Sequence, residues 1–183
     1  MLQLGTAKLM LDWMFVAGLA STNIALGRSM NSECRLEHQS VQPTLSIRFR
    51  AERAGLAAAF RRAYACLGGY LGERGVAPLG TAFAIYHTMD NAHLDIEAGF
   101  VVDRAQPGKG EIRSGRLHEG DIATAILTGP HESVGSAYSA LKEWARGRGL
   151  TSAGPFTEFY LDDPAVTPPA QRRTKVALPV GPA

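Results

Sequence analysis

Apolar residues along this chain switch between two periods, and the switches predict its elements. Over residues 40–50 the apolar positions Val41, Leu45, Ile47 and Phe49 keep to alternate residues, the pleat of a β-strand, with Pro43 favouring an edge or a bulge. The period then lengthens. Leu56, Phe60, Tyr64, Leu67 and Leu71 recur at spacings of three and four, one stripe on a helix of about five turns that leaves Arg61, Arg62 and Glu73 for solvent and stops at Gly75. Cys66 falls inside this helix and reads as a small buried side chain. Strand periodicity returns over residues 81–88 and again over 94–102, where Leu94, Ile96, Ala98 and Phe100 alternate with Asp95, Glu97 and Gly99.

A polar linker rich in Gly and Pro, residues 105–110, divides the chain, and the same order is then read again. Strands are expected over 111–117 and 121–127 about a break at His118-Glu119-Gly120. A loop, Gly129-Pro130-His131-Glu132-Ser133, leads into a helix with the stripe Val134, Tyr138, Leu141 and Ala145. A strand over 154–161, a Pro-rich loop over 162–171 and a closing strand over 174–180 complete it. The halves also match residue by residue. At an offset of 74 positions Tyr64 meets Tyr138, Leu67 meets Leu141, Gly75 meets Gly149, Gly80 meets Gly154 and Tyr86 meets Tyr160, the mark of a tandem duplication. Each half reads β-α-β-β. The expected fold is therefore α+β, antiparallel strands with helices on one side and a pseudo-twofold axis between the units. A single domain is assigned to residues 34–183, with 34–104 as the first half and 111–183 as the second.

Composition narrows the function classes. The 183 residues, 45% hydrophobic and 20% charged, suffice for one soluble domain with its own core. A net charge of +2 without a Lys/Arg run argues against a nucleic-acid surface. Cys34 and Cys66 lie far apart without metal-ligand spacing, so neither a zinc site nor a disulfide framework is expected, and a reduced, cytoplasmic setting is. His87, His118 and His131 are scattered over a strand end, a turn and a loop; Gly108-Lys109-Gly110 lacks phosphate-loop spacing. No metal and no cofactor are expected. Residues 1–33 are read as an extension. Their apolar run is broken by Asp12, and the remainder, residues 13–20, is too short to span a bilayer and short for a secretory segment. An added helix, a loosely ordered tail or a start at Met30 fit better than a targeting signal, and no membrane partner is expected.

Candidate chemistry gathers on the strand Gly154-Pro155-Phe156-Thr157-Glu158-Phe159-Tyr160-Leu161. Phe156, Glu158 and Tyr160 share one face, while Thr157, Phe159 and Leu161 share the core-like other. At the repeat offset Tyr160 matches Tyr86, but Glu158 matches Ala84 and Phe156 matches Ala82. Such divergence suggests an asymmetric cavity, with room from the small side and contacts from the large one. Two readings of Glu158 stand open. It is the counter-charge of a pocket for a cation, each aromatic face adding roughly 0.5–2 kcal/mol, or it pairs with an Arg or Lys across the sheet. Glu97 is a second candidate, on a polar strand face where solvent exposure is the simpler account. Tyr64, Tyr86, Tyr138 and Trp144 either line the cavity or fill core.

The ordered set Gly129-Pro130-His131, Ala137-Tyr138-x2-Leu141-x2-Trp144, Gly154-Pro155-x2-Glu158-x-Tyr160-x2-Asp163-Pro164 and Thr174-x-Val176-x-Leu178-Pro179-Val180 resembles the GyrI-like small-molecule-binding domain, and residues 94–100 fit it in the first half. This is the effector-binding domain of AraC- and MerR-type multidrug regulators, found also as free-standing proteins. The resemblance spans residues 36–180. It implies a central cleft between the halves that accepts flat, apolar, often cationic molecules, with a buried glutamate, here Glu158, as counter-charge and Phe156, Tyr160, Tyr86, Glu97, Trp144, Tyr138 and Tyr64 as candidate ligand-binding residues. Such regulators carry a helix-turn-helix module ahead of the domain, and residues 1–35 are too short for one. The expected role is that of a free-standing member that senses or sequesters hydrophobic, cationic small molecules. Two alternatives follow from the same resemblance. One is hydrolysis of cyclopropane-bearing alkylating compounds, with Glu158 as general base on water and Tyr160 orienting. The other is modulation of a protein partner such as DNA gyrase, for which the sequence identifies no surface.

Overall fold

The computed structural model of the protein describes residues 33–90 and 93–183; the expectations for the first 32 residues lie outside them. The chain runs β1 (Arg35–Gln39), β2 (Pro43–Glu52), α1 (Leu56–Glu73), β3 (Pro78–Met89), β4 (His93–Val102), β5 (Arg113–Arg116), β6 (Gly120–Thr128), α2 (Val134–Arg146), β7 (Leu150–Ser152), β8 (Phe156–Tyr160) and β9 (Arg173–Pro182). Eight of these strands lie side by side in the order β1-β6-β9-β8-β3-β4-β2-β5, and β7 pairs with the far end of β9. All pairings between these strands are antiparallel. The fold is the expected α+β arrangement, with β2-α1-β3-β4 and β6-α2-β8-β9 as the two units.

The units are joined twice over. At the centre β3 pairs with β8. At the margins the lead-in strands are exchanged: β1 precedes the first unit but pairs with β6 of the second, whereas β5 precedes the second unit but pairs with β2 of the first. The strands on either side of His118-Glu119-Gly120 therefore do not pair with each other. β1 lies ahead of the first strand expected from the sequence. Its one apolar residue, Leu36, is 50% exposed, so an edge strand rich in polar side chains shows no inward alternation.

Each helix covers its own unit on one face of the sheet. Phe60, Tyr64, Leu67 and Leu71 of α1 are buried with Leu45, Ile47, Ile96, Ala98 and Phe100. Val134, Ala137, Leu141 and Ala145 of α2 are buried with Ala123, Ala125, Leu127, Val176 and Leu178. Both helices stop at glycines in the left-handed region, Gly75 at φ 64° and Gly149 at φ 69°, in agreement with the repeat. Cys66, expected inside, is exposed. It sits two residues beyond Tyr64, about 200° round the helix, and so faces away from the stripe. The opposite sheet face carries a smaller cluster of Phe83, Val101, Leu117, Ile122, Phe159 and Ala177. Phe83 fits there because position 99 is glycine; a Cβ at Gly99 would lie 2.7 Å from its ring and 2.5 Å from the Leu45 carbonyl. No helix among the described residues is long and apolar enough to cross a membrane.

Candidate functional site

The seam between the units builds the site. Across β3 and β8, Ala82 faces Tyr160, Ala84 faces Glu158 and Tyr86 faces Phe156. Period-two alternation turns all six toward the helices, over the gap between α1 and α2. Glu158 is completely buried. Its carboxylate is met by four groups. The Tyr138 hydroxyl, on the second turn of α2, donates to Oε1. The hydroxyls of Tyr160 and Tyr86 donate to Oε2 at 3.0 and 3.3 Å. His131 Nε2 lies 2.8 Å from the same oxygen. His131 stands on the single turn His131–Ser133 that precedes α2, reached through Gly129 at φ 137°, a conformation that favours glycine.

An ionised carboxylate only accepts hydrogen bonds, and three hydroxyls with one imidazole N–H meet that need. Among the described residues no arginine or lysine forms an ion pair with Glu158; its partner is His131. The ion pair left open by the sequence is thus made by a titratable ring. Burial, with the negative charge of Glu158 added, pushes the hydroxyls of Tyr86, Tyr138 and Tyr160 far above the ordinary phenol range, so they remain donors. Burial pulls the His131 imidazole down, but the hydrogen bond and charge of Glu158, helped by Glu132, outweigh it and hold the ring above its usual value. The His131 side chain is 34% exposed, against 0% for Glu158.

Rings wall the carboxylate. Tyr138 stacks on Phe156 with centroids 4.2 Å apart, Tyr86 meets Tyr138 edge-on at 6.4 Å, and His131 lies 6.4 Å from the Tyr160 ring. Tyr64, the repeat twin of Tyr138, serves differently. Its hydroxyl donates to the Phe83 carbonyl at 2.9 Å, and its ring lies between Phe60 and Phe100. Tyr64 and Tyr160 also border a cavity of about 20 Å³, lined further by Asp162, Pro164, Arg172, Arg173 and Thr174, with room for about one water. Arg172 stitches that covering loop, donating to the carbonyls of Thr167 and Pro164 at 2.9 Å each, and Arg173 pairs with Asp162 at 2.7 Å. Glu158 itself has no exposed surface in this conformation.

Of the residues singled out in the sequence, the structure brings together Glu158, Phe156, Tyr160, Tyr86 and Tyr138, with Tyr64 alongside. Glu97 lies on the opposite sheet face, accepting from Ser46 at 2.7 Å and lying 3.1 Å from His87. Trp144 packs farther along α2 against the second-unit core, with the Arg148 guanidinium 3.9 Å over its ring. His131 belongs to the cluster although its loop position carries no periodicity; its place after Gly129-Pro130 is the signal that could have found it. The larger hollow, about 380 Å³, is on the helix-free face and is lined by Glu37, Gln42, Ile122, Phe159, Leu161 and Lys175 among others. Its Lys175 and Glu37 are already paired at 2.5 Å. No group of three or more metal-ligating side chains occurs among the described residues.

The sequence profile of the GyrI-like small molecule binding domain matches residues 33–181. No curated protein matches the chain. Among solved structures, the chain superposes on the EcmrR C-terminal domain with a TM-score of 0.75 at 20% identity, covering 84% of this chain and 100% of that one. It spans 59% of the EcmrR chain in its DNA complex and 85% of itself, at 20% identity and a TM-score of 0.74. A hydrolase from Listeria innocua gives 0.60 at 15% identity over 84% of this chain and 94% of that one. SAV2435 bound to tetraphenylphosphonium gives 0.59 at 14% identity over 81% and 94%. These likenesses establish the fold.

Proposed function

The chain belongs to the GyrI-like small molecule binding domain family, and from that premise we propose that it senses or sequesters hydrophobic, cationic small molecules at Glu158. One observation carries the reading: a fully buried carboxylate, held by neutral hydroxyls and one exchangeable imidazole, under a wall of aromatic rings. An anion removed from water favours any cation that can follow it into an apolar site. Tyr138 and Tyr160 supply apolar contact and cation–π attraction of roughly 0.5–2 kcal/mol per ring, while Phe156 is stacked on Tyr138 and carries the Lys142 ammonium 5.3 Å over its ring. A drug-sized ligand needs a few hundred Å³, so entry requires side chains around Glu158, His131 among them, to give way. The complex of SAV2435 with tetraphenylphosphonium, a protein of the same fold, agrees with this class of ligand.

Thermal unfolding with tetraphenylphosphonium and with tetraphenylborate, its anionic counterpart of the same shape, tests the reading. The cation should raise Tm and the anion should not. Equal shifts, or none with the cation, would remove it.

A second reading has Glu158 as general base on water, with Tyr160 orienting it, in hydrolysis of cyclopropane-bearing alkylating compounds. The water-sized cavity bordered by Tyr160, whose hydroxyl donates to Glu158, favours it. Turnover of such a compound that survives Glu158→Gln would exclude this role.

A further inference from the structure

We infer that His131 sets the charge selectivity of the site: its imidazolium is a resident cation on Oε2 of Glu158, and an incoming lipophilic cation takes its place. The inference rests on the binding reading above. Four groups share the carboxylate, and they are anchored unequally. Tyr86 and Tyr160 project from central strands and Tyr138 from within α2, all packed in the core or against it. His131 alone of the four comes from a short turn, with a third of its side chain exposed. Rotation of its side chain toward solvent uncovers Oε2 without moving a strand or a helix. The place it leaves is suited to a cation, being against the carboxylate oxygen and beside the Tyr160 ring 6.4 Å away.

Displacement has a proton signature. Among the described residues, the titratable and charged groups gathered with His131 are Glu158 from β8, Glu132 on its own turn, and the hydroxyls of Tyr160, Tyr86 and Tyr138 from β8, β3 and α2. The tyrosines stay protonated, so His131 is the cationic member of this set. While it rests on Glu158 its proton is held more tightly than usual; once swung out, it returns toward an ordinary imidazole, near pH 6.5. Between those two values ligand binding expels up to one proton. Affinity then rises with pH by up to about tenfold per unit.

Tetraphenylphosphonium, whose own charge does not titrate, is the probe. Isothermal titration from pH 6 to 9, in paired buffers of different ionisation enthalpy, should show affinity climbing with pH and proton release across the same window. The variant His131→Gln, which keeps an N–H donor for the carboxylate, should bind more tightly than wild type at pH 6 and lose both the slope and the proton release. A flat wild-type profile, or an unchanged slope in His131→Gln, would overturn the inference. If affinity is flat but still depends on Glu158, the binding reading survives; if Glu158→Gln binds as well as wild type, or the probe does not bind at all, both fall.

Discussion

Ala84 and Glu158 face each other across the β3–β8 seam, and they are also equivalent positions of the two repeated units. Both statements hold because the pseudo-twofold axis passes between them. A symmetric duplication would place two alanines or two carboxylates there, and two buried like charges at that spacing would repel strongly. Divergence to one acid and one methyl removes the repulsion, and the Ala84 methyl is packed in the core beside the rings. Ala84→Leu should crowd the rings around Glu158, costing about 1–3 kcal/mol in urea unfolding by overpacking and abolishing the thermal response to tetraphenylphosphonium.

The twin tyrosines separate stability from binding. Tyr138→Phe removes a donor from a buried carboxylate and should lower stability by about 1.5–3 kcal/mol, the range for hydrogen bonds to charged groups, while changing cation affinity. Tyr64→Phe removes a bond to the Phe83 carbonyl and should cost about 1 kcal/mol, leaving the dependence of binding on Glu158 intact. Urea denaturation with parallel titrations distinguishes the two.

Stability should depend on pH through His131. Its value in the folded protein is raised, so the folded state holds the proton more tightly than the unfolded chain. That contribution is fully present below the ordinary imidazole value near pH 6.5 and is lost as pH rises through the raised one. Unfolding free energy should therefore fall across this interval in wild type, and the fall should disappear in His131→Gln.

The loop over residues 162–171 is tied down chiefly by Arg172 and by the Arg173–Asp162 pair. Arg172→Ala should free two carbonyls and loosen the cover of the small cavity beside Tyr64 and Tyr160. Faster amide exchange confined to this loop, with faster cation association, is the expected result; exchange at the wild-type rate would show that the loop is held by other means.

Local rules carried the sequence reading far. The stripe from Phe60 to Leu71, the glycine stops and the matched tyrosines are set by near neighbours, and the duplication made the second half readable from the first. The Phe156-Glu158-Tyr160 face was visible because period-two alternation does not depend on partners. What stayed hidden depends on long-range pairing. The exchange of β1 and β5 is written in polar edge strands without alternation. His131 reaches Glu158 only through the turn that carries it over β8. Glu97 falls on the opposite face from Glu158 because it shares a register position with Ile85, next to Ala84, and that follows only once the seam is known.

In the proposed function the Glu158 carboxylate is the counter-charge for a bound cation. Calorimetric titration of tetraphenylphosphonium into wild type and Glu158→Gln at pH 8 is the decisive test, since glutamine keeps the size and one acceptor oxygen while removing the charge. Affinity should fall about thirtyfold or more, roughly 2 kcal/mol, in a variant that remains folded. Equal Kd values for the two proteins would contradict it.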